Sequence, residues 1–144
     1  MKQRVLFLCT GNSCRSQMAE GWLRHLSGDQ FEVSSAGTQP VGLNPGAVEA
    51  MKGVAIDISA HRSKHLDEYA GVIFDYVVTV CDRAKETCPI FPGARKVLHW
   101  SFDDPAQVSG SPDDRREVFQ RVRDEIAEHV RLFIEESLRP YASG

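Results

Sequence analysis

The sequence predicts an α/β fold, a four-stranded parallel sheet flanked by helices on both faces. Short continuous apolar runs at residues 5–8 (VLFL) and 76–80 (YVVTV) have the pattern of strands buried on both sides. The longer stretches between such runs carry apolar residues at helical spacing, so strand and helix alternate. Reactive and small polar residues gather where the apolar runs stop, which in a parallel sheet is one edge, the edge at which such folds bind ligands.

Each element has its own signal. Residues 5–8 are the first strand, and from 16 to 26 the pattern turns helical, with Met18, Trp22, Leu23 and Leu26 on one face. Residues 31–36 (FEVSSA) alternate as a second strand that stops at Gly37. Residues 46–52 read as a helix, with Pro45 at its first turn and Gly53 as its terminator. Residues 56–59 are expected to cap a short helix around 66–70, and the basic cluster His61, Arg62, Lys64 and His65 reads as a solvated face. The clearest strand, 76–80, ends at Cys81, and 95–99 (RKVLH) is the fourth. Asp103-Asp104-Pro105 begins a loop, and Ser111-Pro112-Asp113-Asp114 is a capping-box-like start with proline in the first turn. Val118, Val122, Ile126, Val130, Phe133 and Leu138 then follow helical steps until Arg139-Pro140 ends the pattern.

With 144 residues, the chain reads as one domain with no linker or internal repeat, long enough to bury about 68% of its unfolded surface. A formal charge of −3 argues against a nucleic-acid partner. No apolar stretch approaches the ~18 residues of a membrane span, and no signal-peptide pattern opens the sequence. A cytoplasmic protein without membrane contact is expected. The cysteines stand at 9, 14, 81 and 88. Their spacing lacks the C-x₂₋₄-C pairs of structural zinc, so no metal is expected, and a reducing compartment does not favour permanent disulfides.

Residues 9–16 read CTGNSCRS, directly after the first strand. A strand turning into a helix through Thr10, Gly11, Asn12 and Ser13 aims successive N–H groups at one point, and the positive helix end adds to them. Gly11 and Asn12 accept left-handed backbone angles most readily. Arg15 supplies a planar fork for two oxygens of a tetrahedral oxyanion. The same field acts on Cys9: helix N-termini and cations lower a thiol from ~8.5 to about 3.5–7.5, and the Ser16 hydroxyl adds a donor. The anion nest thus comprises Thr10, Gly11, Asn12, Ser13, Cys14 and Arg15, with Cys9 as nucleophile. Displacing an oxygen needs a proton donor, for which Asp103 and Asp104 are the candidates; Pro105 restricts the backbone of Asp104. In the C-terminal half, Cys81 and Cys88 flank mostly helix-forming residues. A helix would hold them ~10.5 Å apart along its axis, beyond the about 4.4–6.8 Å that a disulfide allows between Cα atoms. They pair only if the segment unwinds, which points to a switch.

The loop CTGNSCRSQMAEG resembles the phosphate-binding loop of the low-molecular-weight protein tyrosine phosphatase fold, and more narrowly that of the arsenate reductases built on this fold and recycled by thioredoxin. The likeness continues through SSAG at 34–37, GLNPGAVEAMK at 42–52, VVTVC at 77–81, CPIFP at 88–92, HWSFDDPA at 99–106 and FQRVRDEI at 119–126. The resemblance implies a single domain of that fold, with Asp104 as the general acid. It implies a relay in which Cys9 attacks arsenate, a Cys9–Cys81 disulfide forms as arsenite leaves, and Cys88 converts it to a Cys81–Cys88 disulfide that thioredoxin reduces. It implies no tightly bound cofactor, a monomer, and phosphate and sulfate as competing oxyanions. Related reductases bind potassium near Asn12, Glu20 and Ser35; Lys64 falls where they carry an acidic residue, so its ammonium is expected to replace the ion. Cys14 has no step; it either forms a reversible disulfide with Cys9 that protects against overoxidation or packs, and packing is the reading favoured. A phosphatase would share Cys9, Arg15 and Asp104 but commonly has an aromatic residue after the aspartate-proline, where this chain has Ala106. A third reading, a non-catalytic redox sensor, predicts no turnover of any oxyanion.

Overall fold

The computed structural model describes residues 2–82 and 90–138. Cys88, the helical reading of 83–87 and the Arg139-Pro140 stop lie outside the described residues. The chain runs β1 (Gln3–Cys9), α1 (Arg15–Ser27), β2 (Phe31–Gly37), α2 (Pro45–Lys52), β3 (Phe74–Thr79), β4 (Ala94–His99) and α3 (Pro112–Leu138). All neighbouring strands are parallel, in the order β2-β1-β3-β4.

That order follows from burial. β1 is the most apolar strand and lies in the interior, with Val5, Leu6, Phe7 and Leu8 fully buried. The chain first crosses to one side of β1 to lay down β2, then to the other side for β3. The strand order therefore reverses between β1 and β3, and a crevice opens at their carboxyl ends. Cys9 ends β1, and Cys81 lies just past the end of β3, beyond the register pair Leu8–Thr79 and the hydrogen bond from Val80 N to Leu8 O at 2.9 Å. Two cysteines distant in sequence thus leave adjacent strands.

Both faces of the sheet carry helical segments, unequally. Val5, Phe7 and Cys9 share one core with buried side chains of α1, α2 and α3. Leu6 and Leu8 face the other side, where Leu66, Tyr69, Val72 and Phe91 cover them. Phe133 locks α3 onto the sheet, with its ring 4.9 Å from Tyr76, 5.4 Å from Phe31 and 6.0 Å from Trp100.

The capping expected before α3 is reciprocal: Asp114 N donates to Ser111 Oγ at 3.1 Å and Ser111 N to Asp114 Oδ2 at 3.2 Å. Residues 56–59 do not cap the next helix. Asp57 accepts from Ser59 N in its own turn, and the short element is a 3₁₀ helix, Leu66–Tyr69, capped by His65 Nδ1, which accepts from Asp67 N at 3.0 Å. The basic cluster is not uniformly solvated. Arg62 pairs with Glu68 on the surface, whereas the side chains of His61 and Lys64 turn inward to the buried Glu20.

Candidate active site

Cys9 lies at the bottom of a cleft of about 660 Å³ whose walls include Arg15, Val41, Asp103, Asp104 and Ala106. Two donors converge on its sulfur. Asn12 N donates at 3.1 Å, and Ser16 Oγ lies at 2.9 Å. Asn12 supplies the left-handed angle that the loop requires, with φ 47°. Gly11 is not in that region; a side chain there would meet Val41 Cγ2 at 3.1 Å, so its smallness serves close packing. Gly37 is needed more strictly, since a Cβ would fall 2.4 Å from the Thr10 carbonyl oxygen.

The direction of the hydrogen bonds behind the loop is fixed by one carboxylate. Ser35 Oγ donates to Glu20 Oε1 at 2.5 Å, which leaves its oxygen to accept from Asn12 Nδ2 at 3.0 Å. The second hydrogen of that amide goes to Ser16 Oγ at 2.8 Å, which frees the Ser16 proton to point at Cys9. Asn12 Oδ1 accepts from Lys64 N at 2.8 Å and Gln17 Nε2 at 3.0 Å. Gln17 Oε1 contacts His61 Nδ1 at 3.1 Å, and Arg24 NH1 lies 3.1 Å from His61 Nε2. Since Gln17 Oε1 can only accept and the guanidinium can only donate, His61 is neutral with its proton on Nδ1. Burial pulls His61 below the ordinary histidine value; Glu20 opposes this, while Arg24 and Lys64 reinforce it.

A potassium ion does not fit this arrangement. Both acceptor directions of Asn12 Oδ1 are used, and Glu20 already faces Ser35, Arg24 at 2.7 Å and Lys64 Nζ at 4.0 Å. Lys64 Nζ also donates to Arg62 O at 2.9 Å. Burial, the largest influence on its ammonium, pushes Lys64 below the ordinary lysine value, while Glu20 opposes it. The structure thus brings Asn12, Glu20, Ser35 and Lys64 into one cluster.

Arg15 is nearly fully buried. It donates to Phe102 O at 3.3 Å, and its NH2 lies 3.5 Å from Asp104 Oδ2. Asp104 Oδ1 accepts from Ala106 N at 3.0 Å, the turn that Pro105 enforces. Asp103 turns away to Arg121 on α3, at 3.0 Å. Geometry therefore separates the two aspartates that spacing alone left equal. Cys14, two per cent exposed, has its thiol pushed up to about 12, chiefly by burial. It packs as an uncharged thiol, while Ser13 Oγ lies at 3.5 Å from it. Thr10 Oγ1 is buried without a hydrogen-bond partner. Cys9 and Cys14 are free thiols, whereas Cys81 is buried and disulfide-bonded.

Four contributors escaped the reading of the sequence: Gln17, His61, Gly37 and Arg121. Gln17 sits on the buried side of α1 in a helical pattern that any amphipathic helix shows, and only Gly37 carried a local signal, its small size at a strand end.

Residues 4–140 match the family described as low molecular weight phosphotyrosine protein phosphatase. The chain belongs to that family. The arsenate reductase of Halalkalibacterium halodurans is 48% identical over 134 residues, 93% of this chain and 96% of that one. An arsenate reductase solved in the phosphate binding state superposes with a TM-score of 0.78 at 30% identity, covering 93% of this chain and 98% of that one. The thioredoxin-dependent arsenate reductase of Corynebacterium glutamicum matches with a TM-score of 0.70 at 28% identity, over 94% of this chain and 61% of that one.

Proposed function

We propose that the protein is a cytoplasmic, monomeric arsenate reductase that works by a three-cysteine relay and is recycled by thioredoxin. Cys9 sulfur attacks the arsenic of arsenate and an As–S bond forms. Asp104 gives its proton to the departing oxygen, which leaves as water. Arg15, the loop N–H groups and the start of α1 hold the remaining oxygens. The thiolate of Cys81 then attacks the Cys9 sulfur. The electron pair of the As–S bond passes to arsenic, which leaves as arsenite, and a Cys9–Cys81 disulfide remains. Cys88 attacks Cys81, frees Cys9 and forms Cys81–Cys88. The dithiol of thioredoxin supplies the two electrons that reduce this bond.

The observation that carries this reading is the placement of Cys9 and Cys81 at the ends of adjacent parallel strands, with Cys9 free while Cys81 is oxidised. A phosphatase uses the first sulfur only and leaves the other unexplained. Phosphate and sulfate share the tetrahedral shape of arsenate and compete for the loop. The ammonium of Lys64 takes the place of a cation, holding Glu20 so that Ser35 and Asn12 keep their orientation.

The test supplies arsenate, thioredoxin, thioredoxin reductase and NADPH. Sustained NADPH consumption is expected from the wild type and from none of Cys9→Ser, Cys81→Ser and Cys88→Ser. Slow hydrolysis of a small aryl phosphate should survive in Cys81→Ser and Cys88→Ser and vanish in Cys9→Ser. Normal turnover by Cys88→Ser would refute the relay, and failure of the wild type to consume NADPH with arsenate would refute the reductase.

A further inference from the structure

The cleft that holds Cys9 presents a paradox of charge. Among the described residues, its charged wall residues are Arg15, Asp82, Asp103 and Asp104, so carboxylates outnumber guanidinium groups where a multiply charged oxyanion is to bind. Arg15 is matched by Asp104, at 3.5 Å. Asp103 carries a further negative charge on the same loop. Its Oδ2 meets Arg121 NH2 at 3.0 Å, and NH1 of the same guanidinium is held by Glu125 Oε2 at 2.9 Å, one turn along α3. The intrahelical contact sets the Arg121 fork before it reaches Asp103.

We infer that Arg121 tunes the anion affinity of the oxyanion site: it does not touch the anion, but offsets the Asp103 charge that would otherwise repel it. This rests on the reading of the Cys9 loop as an oxyanion site. Asp103 and Arg121 are both about half exposed. An ion pair of that kind adds little to fold stability, so its consequence lies in the field it leaves in the cleft. Of the two aspartates, one is kept for proton transfer and the other is neutralised from outside the cleft.

The experiment uses the reduced full-length chain and inorganic phosphate as the probe. Protection of Cys9 against iodoacetamide is followed by mass spectrometry of its peptide. Arg121→Gln should raise the phosphate concentration for half-protection about three- to tenfold at low ionic strength, and ~0.5 M sodium chloride should erase most of that loss. Arg121→Lys should keep most of the affinity, because it keeps the charge. Asp103→Asn should bind phosphate at least as tightly as the wild type, and Asp103→Asn with Arg121→Gln should return to within about twofold of it. With arsenate, Arg121→Gln should raise KM and leave kcat nearly unchanged. Equal protection of Arg121→Gln and wild type would overturn the inference, as would a double variant as weak as Arg121→Gln. A wild type that phosphate never protects would instead strike the oxyanion reading itself.

Discussion

The two walls of the cleft are built on opposite principles. On the nucleophile side, Asn12, Ser16, Gln17 and Ser35 are all completely buried and joined to one another and to Cys9 by hydrogen bonds. On the acid side, Asp104 is partly exposed and the Asp103–Arg121 pair about half exposed. A buried network is costly to leave half-made, so it has one low-energy arrangement. An exposed pair fixes charge without fixing position so firmly. The nucleophile wall therefore couples the chemistry to folding, and the acid wall separates them.

The sharpest way to break the comparison is to remove one residue from each wall. Asn12→Ala deletes four side-chain hydrogen bonds and leaves an alanine at φ 47°. It should cost about 2–4 kcal/mol in urea unfolding and most of the activity. Asn12→Gly, which tolerates the backbone angle, should recover only the strain. Asp104→Asn should change stability by no more than about 0.5 kcal/mol while lowering arsenate turnover about 10²- to 10⁴-fold. Equal destabilisation by Asp104→Asn and Asn12→Ala would erase the distinction.

A smaller effect is expected at the back of the nucleophile wall. Lys64→Met removes the ammonium from beside Glu20 but keeps the Lys64 N–H that Asn12 Oδ1 accepts. It should cost about 1–2 kcal/mol, less than Asn12→Ala, because Arg24 still neutralises Glu20. The wild type should show the same melting temperature and turnover in potassium as in sodium. A clear gain in potassium would mean that the cluster opens to admit an ion.

The sequence made the nucleophile wall legible in part, and of the acid wall its two aspartates but not Arg121. Periodicity marked all four strands and the long helices, because burial on two faces or on one stripe leaves a local pattern. Cys9, Arg15 and Asn12 stood out because a tight anion loop needs special residues within eight consecutive positions. The misread residue, His61, lies between elements where no periodicity operates, and its charge suggested solvent; Lys64 was placed beside Glu20 by the resemblance and not by any pattern of its own. Glu20, which both face, lies some forty positions earlier on the inward side of α1, and periodicity alone does not mark a buried carboxylate; only the resemblance singled it out. Asp103 and Asp104 are adjacent in sequence. Spacing alone left them equal; the resemblance pointed to Asp104, and the three-dimensional positions of Arg15 and Arg121 give the physical difference.

The finest test lies inside the loop itself, between Cys9 and Cys14. Burial raises the Cys14 thiol from an ordinary value near 9 to about 12, so the folded state keeps its proton where the unfolded chain has lost it. Below pH 9 this group contributes no pH dependence. Between pH 9 and about 12 the unfolded state binds fewer protons, so stability must fall as pH rises, by at most about 1.4 kcal/mol per unit. Urea midpoints of the wild type and Cys14→Ala at pH 8, 9, 10 and 10.5 isolate that contribution, since lysines and tyrosines titrate alike in both. The wild type should lose stability faster above pH 9, and its Cys14 should resist iodoacetamide at pH 8.5 while Cys9 reacts. Parallel curves, or labelling of Cys14 as fast as Cys9, would show that the two cysteines share one environment.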